Sequence, residues 1–216
     1  MTFKSIVHNP HKITEMFEEE VAEYTGAPYA VAVDSCTNAL FLCLKYYQST
    51  LSLGARIPAI SIPRKTYVSV PQTIVNAEHR VEFRNEKWRG IYRLAPLTIW
   101  DCAKRFTSDM YIPDQYMCLS FHIKKPLPIG KGGMILTDDP LFVEWACKAR
   151  YEGRGPVNYR EDNISSAGWN MYMEPEAAAR GLTLMQNYPR HAPDQIEDPD
   201  YVDLTTFDRF KHCNIV

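Results

Sequence analysis

The chain has 216 residues, of which 45% are hydrophobic, and its formal net charge is -2. This length and composition suffice for one substantial hydrophobic core, whereas the near-neutral charge provides no basic face for nucleic acid. No apolar run approaches the roughly 20 residues that span a bilayer, and the N-terminus lacks the apolar segment of a signal peptide, so we expect a soluble cytoplasmic protein.

The first part of the chain predicts a helix, a strand and a second helix. Residues 13–24 place apolar side chains on one face and acids on the other, and Gly26 ends this helix. Residues 29–33 form a short apolar run that is typical of a buried strand. A polar turn at residues 34–37 leads into helical spacing over residues 38–47. This strand–turn–helix unit is the building block of open α/β sheets.

Short apolar runs continue to alternate with helical patterns over the rest of the chain. Further strands are predicted at residues 56–63, 80–83, 96–100, 117–121 and 132–137. Further helices are predicted at residues 67–77, 140–150 and 175–185. This alternation favours an α/β fold with a mostly parallel sheet flanked by helices over a sandwich or a helix bundle.

Two stretches of the chain show no periodic pattern. Residues 151–168 are polar and contain glycine, which predicts a mobile loop. From Asn187 onward, prolines and acids replace any period, so this tail either wraps a surface or is partly disordered. We therefore expect a folded region at residues 1–186 and a proline-rich C-terminal tail at residues 187–216.

The six cysteines of the sequence indicate free thiols. They include no Cys-x-x-Cys pair, and several lie in apolar runs, as Cys43 does between Leu42 and Leu44. Buried thiols in a reducing compartment explain this usage better than a disulfide framework or a zinc site. No metal ion is predicted.

Two polar features stand where predicted strands end. Residues 34–38 (Asp-Ser-Cys-Thr-Asn) precede a helix, whose unpaired N–H groups and partial positive charge suit a phosphate group. A plain Ser/Thr helix cap would look the same. Asp101 could pair with a pyridinium nitrogen and keep it protonated, or it could cap the segment that follows.

The third feature, residues 120–133, is the most specific. It reads Ser-Phe-His-Ile-Lys-Lys-Pro-Leu-Pro-Ile-Gly-Lys-Gly-Gly. A lysine beside apolar residues loses hydration, which favours the neutral amine that attacks an aldehyde. Ser120 can donate to a phosphate, and the glycines permit a tight turn. A surface lysine pair is the alternative interpretation.

In this order, these features resemble the DegT/DnrJ/StrS family of sugar aminotransferases, which depend on pyridoxal 5′-phosphate (PLP). The lysine segment matches the family's Ser-Phe-His-x-x-Lys, four residues, then Gly-x-Gly-Gly, without a gap. Residues 35–37 resemble its Ser-Gly-Thr turn, and residues 63–67 its Pro-x-x-Thr string with the aromatic that follows. Residues 101–103 match its Asp-x-Ala segment, and residues 168–170 its Gly-x-Asn string before an Ala-rich helix. The resemblance covers about residues 14–186 and implies the large domain of a fold-type-I PLP-dependent transferase, in shortened form.

The resemblance implies a role for each matched residue. Lys125 would hold PLP as a Schiff base and carry a proton between substrate and cofactor, while Asp101 would pair with the ring nitrogen. Tyr67 would stack on the ring. The phosphate donors would be Ser35, Cys36, Thr37 and Ser120. Asn170 would reach the phosphate of the neighbouring subunit, because the family's active site is shared across a dimer interface.

Four positions depart from the family pattern. Cys36 replaces a glycine, which alters how closely the backbone can approach the phosphate. Lys104 stands where the family has Gln or His near the phenolic oxygen of the cofactor, so it brings a second cation to the site. Lys131 replaces a common acid, and Tyr172 replaces a frequent arginine.

The activity that the resemblance implies is transfer of an amino group from glutamate or glutamine to a nucleotide-linked keto sugar, in a homodimer. We expect this chain to lack the family's C-terminal small domain, which helps to enclose substrate. This leaves a second hypothesis, a non-catalytic scaffold that binds PLP or a nucleotide sugar. A PLP-dependent sugar dehydratase is disfavoured, because such relatives carry histidine in place of the lysine found here at position 125.

Overall fold

The computed structural model describes residues 11–51, 58–155, 157–196 and 201–216. The helices in these ranges are α1 (Lys12–Thr25), α2 (Cys36–Thr50), α3 (Ser69–Asn76), α4 (Pro140–Ala149) and α5 (Pro175–Met185). The strands are β1 (Tyr29–Val33), β2 (Ile60–Pro63), β3 (Val81–Arg84), β4 (Tyr92–Arg93), β5 (Ile99–Asp101), β6 (Tyr116–Ser120) and β7 (Gly133–Thr137). A short 3-10 helix spans Leu204–Thr206.

The first helix–strand–helix unit forms where the apolar pattern predicts it. α1 ends at Gly26, whose left-handed φ of 74° suits a residue without a side chain. β1 has the predicted bounds. α2 begins two residues earlier than predicted, because the Oγ atom of Ser35 accepts a hydrogen bond from the backbone N–H of Asn38 at 3.2 Å. This cap satisfies one of the N–H groups that a helix start leaves unpaired.

The main sheet has five strands in the order β1-β7-β6-β5-β4. Only β5 and β6 are parallel, and the other three neighbouring pairs are antiparallel. The α/β class with flanking helices is confirmed, but the pairing in this sheet is mixed rather than mostly parallel. The loops from β4 to β5 and from β6 to β7 contain no helix, and such direct returns produce antiparallel neighbours.

Alternate strand residues of the main sheet face two separate apolar cores. Val31 and Val33 of β1 pack with α2, α3 and α4, together with Cys118 of β6. Ala30 and Ala32 face the opposite side, where they pack with residues of α1 and α5. The sheet is therefore covered by helices on both faces, as expected for this class.

A smaller sheet pairs β2 with β3 in parallel, and the C-terminal tail extends it. The backbone N–H of Phe83 donates to the carbonyl of Asn214, and its carbonyl accepts from the N–H of Val216, both at 2.8 Å. Phe210 is buried, with its ring 5.8 Å from that of Phe83. The described part of the tail therefore wraps a surface of the folded region.

Several predicted elements need correction at their ends. β4 was not predicted, because two residues are too short for a pattern to stand out. Pro96 lies in the turn between β4 and β5, so β5 begins at Ile99. Of the strand predicted at residues 56–63, β2 covers the last four residues, and residues 56 and 57 lie outside the described ranges.

Two further sequence-based expectations concern the state of the cysteines and the presence of membrane-spanning helices. All six cysteines are free, and four of them are buried: Cys36, Cys43, Cys102 and Cys118. Within the described ranges, no helix combines the length and the apolar character that crossing a bilayer requires.

Candidate active site

Asp101 is the last residue of β5 and is only 4% exposed. Its carboxylate accepts hydrogen bonds from the N–H of Ala103 and from the hydroxyl of Tyr92, both at 2.8 Å. Tyr92 in turn lies 2.7 Å from the hydroxyl of Thr66. A buried carboxylate needs such partners, because burial without hydrogen bonds is costly.

The charge state of Asp101 reflects opposing influences. Burial raises the pKa of its carboxyl group above the ordinary value for an aspartate. The bonds from Ala103 and Tyr92 and the charges of Lys125 and Lys104 oppose that rise. The same surroundings that desolvate Asp101 thus place two cations close enough to favour its ionised form.

Lys125 lies in the loop that follows β6, where its backbone N–H donates to the carbonyl of His122 at 2.8 Å. Its side chain is half-buried. No hydrogen bond or ion pair of its ammonium group occurs among the residues that the structure describes. Burial raises the pKa of the Cys36 thiol, and the Lys125 charge opposes this rise as it does at Asp101. The structure therefore brings Lys125, Asp101 and the start of α2 within electrostatic reach of one another.

The start of α2 is tightly tied to the residues around it. The sulfur of Cys36 lies 3.4 Å from the carbonyl oxygen of Cys118, so this side chain is turned towards β6. Cys36 therefore fits in the place of the family's glycine without projecting outward from the helix end. The hydroxyl of Thr37 is 2.8 Å from that of Ser69, which joins the starts of α2 and α3.

Gly133 brings the lysine segment against this helix start. A Cβ atom at Gly133 would lie 2.3 Å from the carbonyl carbon of Ser35 and 2.5 Å from the nitrogen of Cys36. Only glycine allows such a close approach of two backbones. Gly133 is also the cross-strand partner of Ser120, whose half-buried hydroxyl is thereby held near the same helix end.

The other predicted site residues lie around this cluster. Tyr67, just before α3, is 58% exposed. Lys104 is 3% exposed, and its ammonium group donates to the carbonyl of Ile196 at 3.2 Å and lies 4.4 Å from the ring centre of Tyr201. Asn170 is exposed, and its amide donates to a carboxylate oxygen of Glu152. Lys104 is thus directed towards the tail, and Asn170 towards the surface.

Comparison of the sequence with models of known protein families identifies the family of this chain. A model of the DegT/DnrJ/EryC1/StrS aminotransferase family matches residues 4–85 and 113–197, well over half of the chain. The chain belongs to this family. Asp101 and Lys104 lie between the two matched segments. Their assignment to positions of the family therefore depends on the local Asp-x-Ala pattern and, for Asp101, on its electrostatic interaction with Lys125.

Two of the similar proteins are named for polysaccharide and pseudoaminic acid biosynthesis. The spore coat polysaccharide biosynthesis protein SpsC of Bacillus subtilis (strain 168) is 25% identical, over 78% of this chain and 55% of its own length. PseC of Helicobacter pylori, an aminotransferase involved in the biosynthesis of pseudoaminic acid, superposes with a TM-score of 0.67 at 18% identity, over 82% of this chain and 58% of PseC. A DegT DnrJ EryC1 StrS aminotransferase from Brucella abortus superposes with a TM-score of 0.72 at 14% identity, over 94% and 80% of the two chains.

These comparisons confirm the fold-type-I architecture of the PLP-dependent aminotransferases. The chain spans little more than half the length of SpsC and of PseC. The DegT/DnrJ/EryC1/StrS aminotransferases depend on PLP, and the described residues fit that cofactor. An ammonium group without a partner lies near a buried carboxylate, and a capped helix start lies beside both.

Sequence reasoning missed two contributors to the surroundings of the site. Tyr92 was not singled out, although the alternation of buried Tyr92 and Leu94 with exposed Arg93 is the period of a strand. The tail segment was not expected to touch the site either. The N–H of Gln195 donates to the carbonyl of Lys104, and its side-chain amide donates to the carbonyl of Lys124, both at 2.9 Å. No local signal in the sequence points to these tail contacts.

Proposed function

We propose that this chain binds PLP through Lys125 and transfers an amino group from glutamate or glutamine to a nucleotide-linked keto sugar. We further propose that it acts as a homodimer in which Asn170 serves the neighbouring subunit. One observation carries the proposal. The ammonium group of Lys125 has no partner among the described residues and interacts electrostatically with the buried carboxylate of Asp101. A buried carboxylate with a raised pKa and a lysine within electrostatic reach is the arrangement expected at a ligand site.

The proposed roles follow from the chemistry of each side chain. When bound, PLP withdraws electrons from the substrate carbon that carries the amino group. Asp101 would hold a proton on the ring nitrogen, because a buried carboxylate attracts a cationic N–H strongly. The amine of Lys125 would attach the cofactor and then move a proton at that carbon. Tyr67 would cover the ring.

The start of α2 would hold the phosphate group. Its unpaired N–H groups at Cys36 and Thr37 and the positive end of the helix favour an anion there. Ser120 would add a donor at this end, because it pairs with Gly133, which packs against the helix start. The hydroxyl of Ser35 already donates to Asp34 at 3.0 Å, so its contribution would come through the cap rather than through its own proton.

The sugar substrate is proposed from the relatives rather than from the site. SpsC and PseC are named for polysaccharide and pseudoaminic acid biosynthesis, which supports a sugar-linked carbonyl compound as amino acceptor. Lys104, in the place of the family's Gln or His, would add positive charge near the phenolic oxygen of the cofactor.

Cofactor attachment provides the direct test. The purified chain is incubated with PLP, reduced with borohydride and digested, and the modified lysine is located by mass spectrometry. We expect modification at Lys125, no modification in Lys125→Ala, and unchanged modification in the control variant Lys124→Ala. A chain that takes up no PLP, or one modified equally at exposed lysines, would end the proposal.

The tail contacts favour one alternative, a scaffold that holds PLP without turnover. Residues 194–196 bond to the loops that carry Lys104 and Lys124, and Lys124 is the chain neighbour of Lys125. Incubation of the PLP-loaded protein with glutamate distinguishes the two functions. An aminotransferase converts the bound cofactor to its amine form, with a change in absorbance, whereas a scaffold shows no change with glutamate or glutamine.

A further inference from the structure

Lys131 and Asp34 form an ion pair at the start of α2. The ammonium group of Lys131 lies 3.2 Å from Oδ2 of Asp34, and the two side chains are 73% and 23% exposed. Lys131 belongs to the glycine turn that precedes β7, whereas Asp34 follows β1. The pair therefore joins the two segments that meet at the proposed phosphate site.

The carboxylate of Asp34 places a negative charge at the start of α2, where the proposed function requires a positive potential to hold a phosphate group. Its Oδ1 accepts hydrogen bonds from the hydroxyl of Ser35 at 3.0 Å and from the amide of Asn38 at 2.7 Å. These bonds fix the carboxylate beside the helix cap. A phosphate group of about -2 charge at the same helix end would be repelled by it.

We propose that Lys131 neutralises Asp34 and so increases the affinity of the site for the phosphate group of PLP. The inference depends on the proposed function, and it concerns a residue that stands where the family commonly has an acid. An acid at position 131 would add to the repulsion from Asp34, whereas a lysine cancels it. Lys131 thus acts as a positioning residue for the phosphate rather than as a catalytic residue.

A purely stabilising role does not account for the pair as well. An ion pair in which one partner is largely exposed contributes little to folding stability, because water screens it and the long side chain loses freedom. Loss of Lys131 should therefore leave the thermal midpoint of the apoprotein nearly unchanged. Its effect should appear in the binding of anions instead.

The experiment is a cycle of four proteins, each stripped of cofactor and titrated with PLP by absorbance. These are the wild type, Lys131→Met, Asp34→Asn and the double variant. We expect Lys131→Met to bind PLP about tenfold more weakly, as loss of a charge contact at a helix start allows. Asp34→Asn should bind no more weakly than the wild type, and the double variant should recover most of the lost affinity.

Two controls separate this inference from the proposed function. Pyridoxal, which lacks the phosphate, should bind equally to the wild type and to Lys131→Met, and Lys124→Met should bind PLP like the wild type. An unchanged PLP affinity in Lys131→Met, or a double variant as weak as that single variant, would overturn the role of Lys131 while leaving the PLP site intact. Failure of the wild type to take up any PLP would overturn the proposed function itself.

Discussion

The hydroxyl of Tyr92 donates a 2.8 Å hydrogen bond to Oδ2 of Asp101, its cross-strand partner in the antiparallel pair of β4 and β5. Tyr92 is 2% exposed, and its oxygen also contacts the hydroxyl of Thr66 at 2.7 Å. Because Tyr92 donates to Asp101, Thr66 is the donor in that second contact. A chain of two hydrogen bonds thus supports the carboxylate from the side of the smaller sheet.

Replacement of Tyr92 by Phe should destabilise the protein by about 1–3 kcal/mol, because it removes a donor from a buried carboxylate and leaves Thr66 without its acceptor. The pKa of Asp101 should rise further. The loss of stability should therefore be larger at pH 7 than at pH 4, because a larger fraction of Asp101 is ionised at the higher pH. Urea denaturation at both pH values measures it.

The matched control for this change is Tyr188→Phe. The Tyr188 hydroxyl donates to the backbone carbonyl of Phe106 at 3.2 Å, so this variant also loses one hydroxyl but leaves Asp101 untouched. A similar loss for both variants, with no dependence on pH, would show that Tyr92 has no particular influence on the carboxylate.

Asp101→Asn should leave the apoprotein at least as stable as the wild type at neutral pH while weakening PLP retention. Burial raises the pKa of Asp101 in the folded state, so the folded protein holds the proton more tightly than the unfolded chain does. Stability then falls as the pH rises from the ordinary aspartate pKa through the folded-state value. The variant should lack this fall in stability. Denaturant unfolding at several acidic pH values measures the difference.

Asp139→Asn provides a comparison with the opposite sign. At Asp139, burial acts to raise the pKa, but bonds from Tyr116, Phe142 and Leu141 outweigh it and leave the pKa lowered. The carboxylate of Asp139 therefore contributes stability above the ordinary aspartate pKa, which is lost as the pH falls. If Asp101→Asn lost stability at neutral pH as Asp139→Asn should, the ionised form of Asp101 would be stabilising rather than costly.

The parts of the site that sequence reasoning found are those with local patterns. The segment from Ser120 to Gly133 identifies Lys125 because its spacing is specific, and the cap at Ser35 lies where a strand meets a helix. Tyr92 and the tail residues reach the site through pairing between distant segments, and no local spacing encodes such contacts. Mixed strand pairing was missed for the same reason, since a chain pattern gives the period of a strand but not its neighbour.

Gly133→Ala should destabilise the protein by about 2–3 kcal/mol, because the added methyl group meets backbone atoms that cannot move aside easily. The Cβ atom would lie 2.3 Å from the carbonyl carbon of Ser35. Thermal unfolding measures the loss. Gly155→Ala is the control, since its Cβ would come no closer than 3.5 Å to Asp162. Equal thermal midpoints for both variants would mean that the approach of β7 to α2 is less close than described.

Asp194 holds the C-terminal tail to the folded region, and its replacement should release the tail. Its carboxylate forms two hydrogen bonds with the guanidinium group of Arg105, both at 2.7 Å, and the side chains are 14% and 31% exposed respectively. The bond to Arg105 lowers the pKa of Asp194, so its contribution to stability exists above the ordinary aspartate pKa and is lost as the pH falls.

Asp194→Ala should cost about 1 kcal/mol, near the upper end for a partly exposed ion pair, and should speed proteolysis within residues 187–196. The segment at 210–216 should remain protected, because it is held independently on β3. Asp208→Ala is the control, since Asp208 pairs with Lys211 while 95% exposed. Digestion of both variants at the wild-type rate would show that the Arg105 pair does not hold the tail. Faster digestion of Asp194→Ala alone would establish that this one pair fastens the tail over the loops beside Lys125.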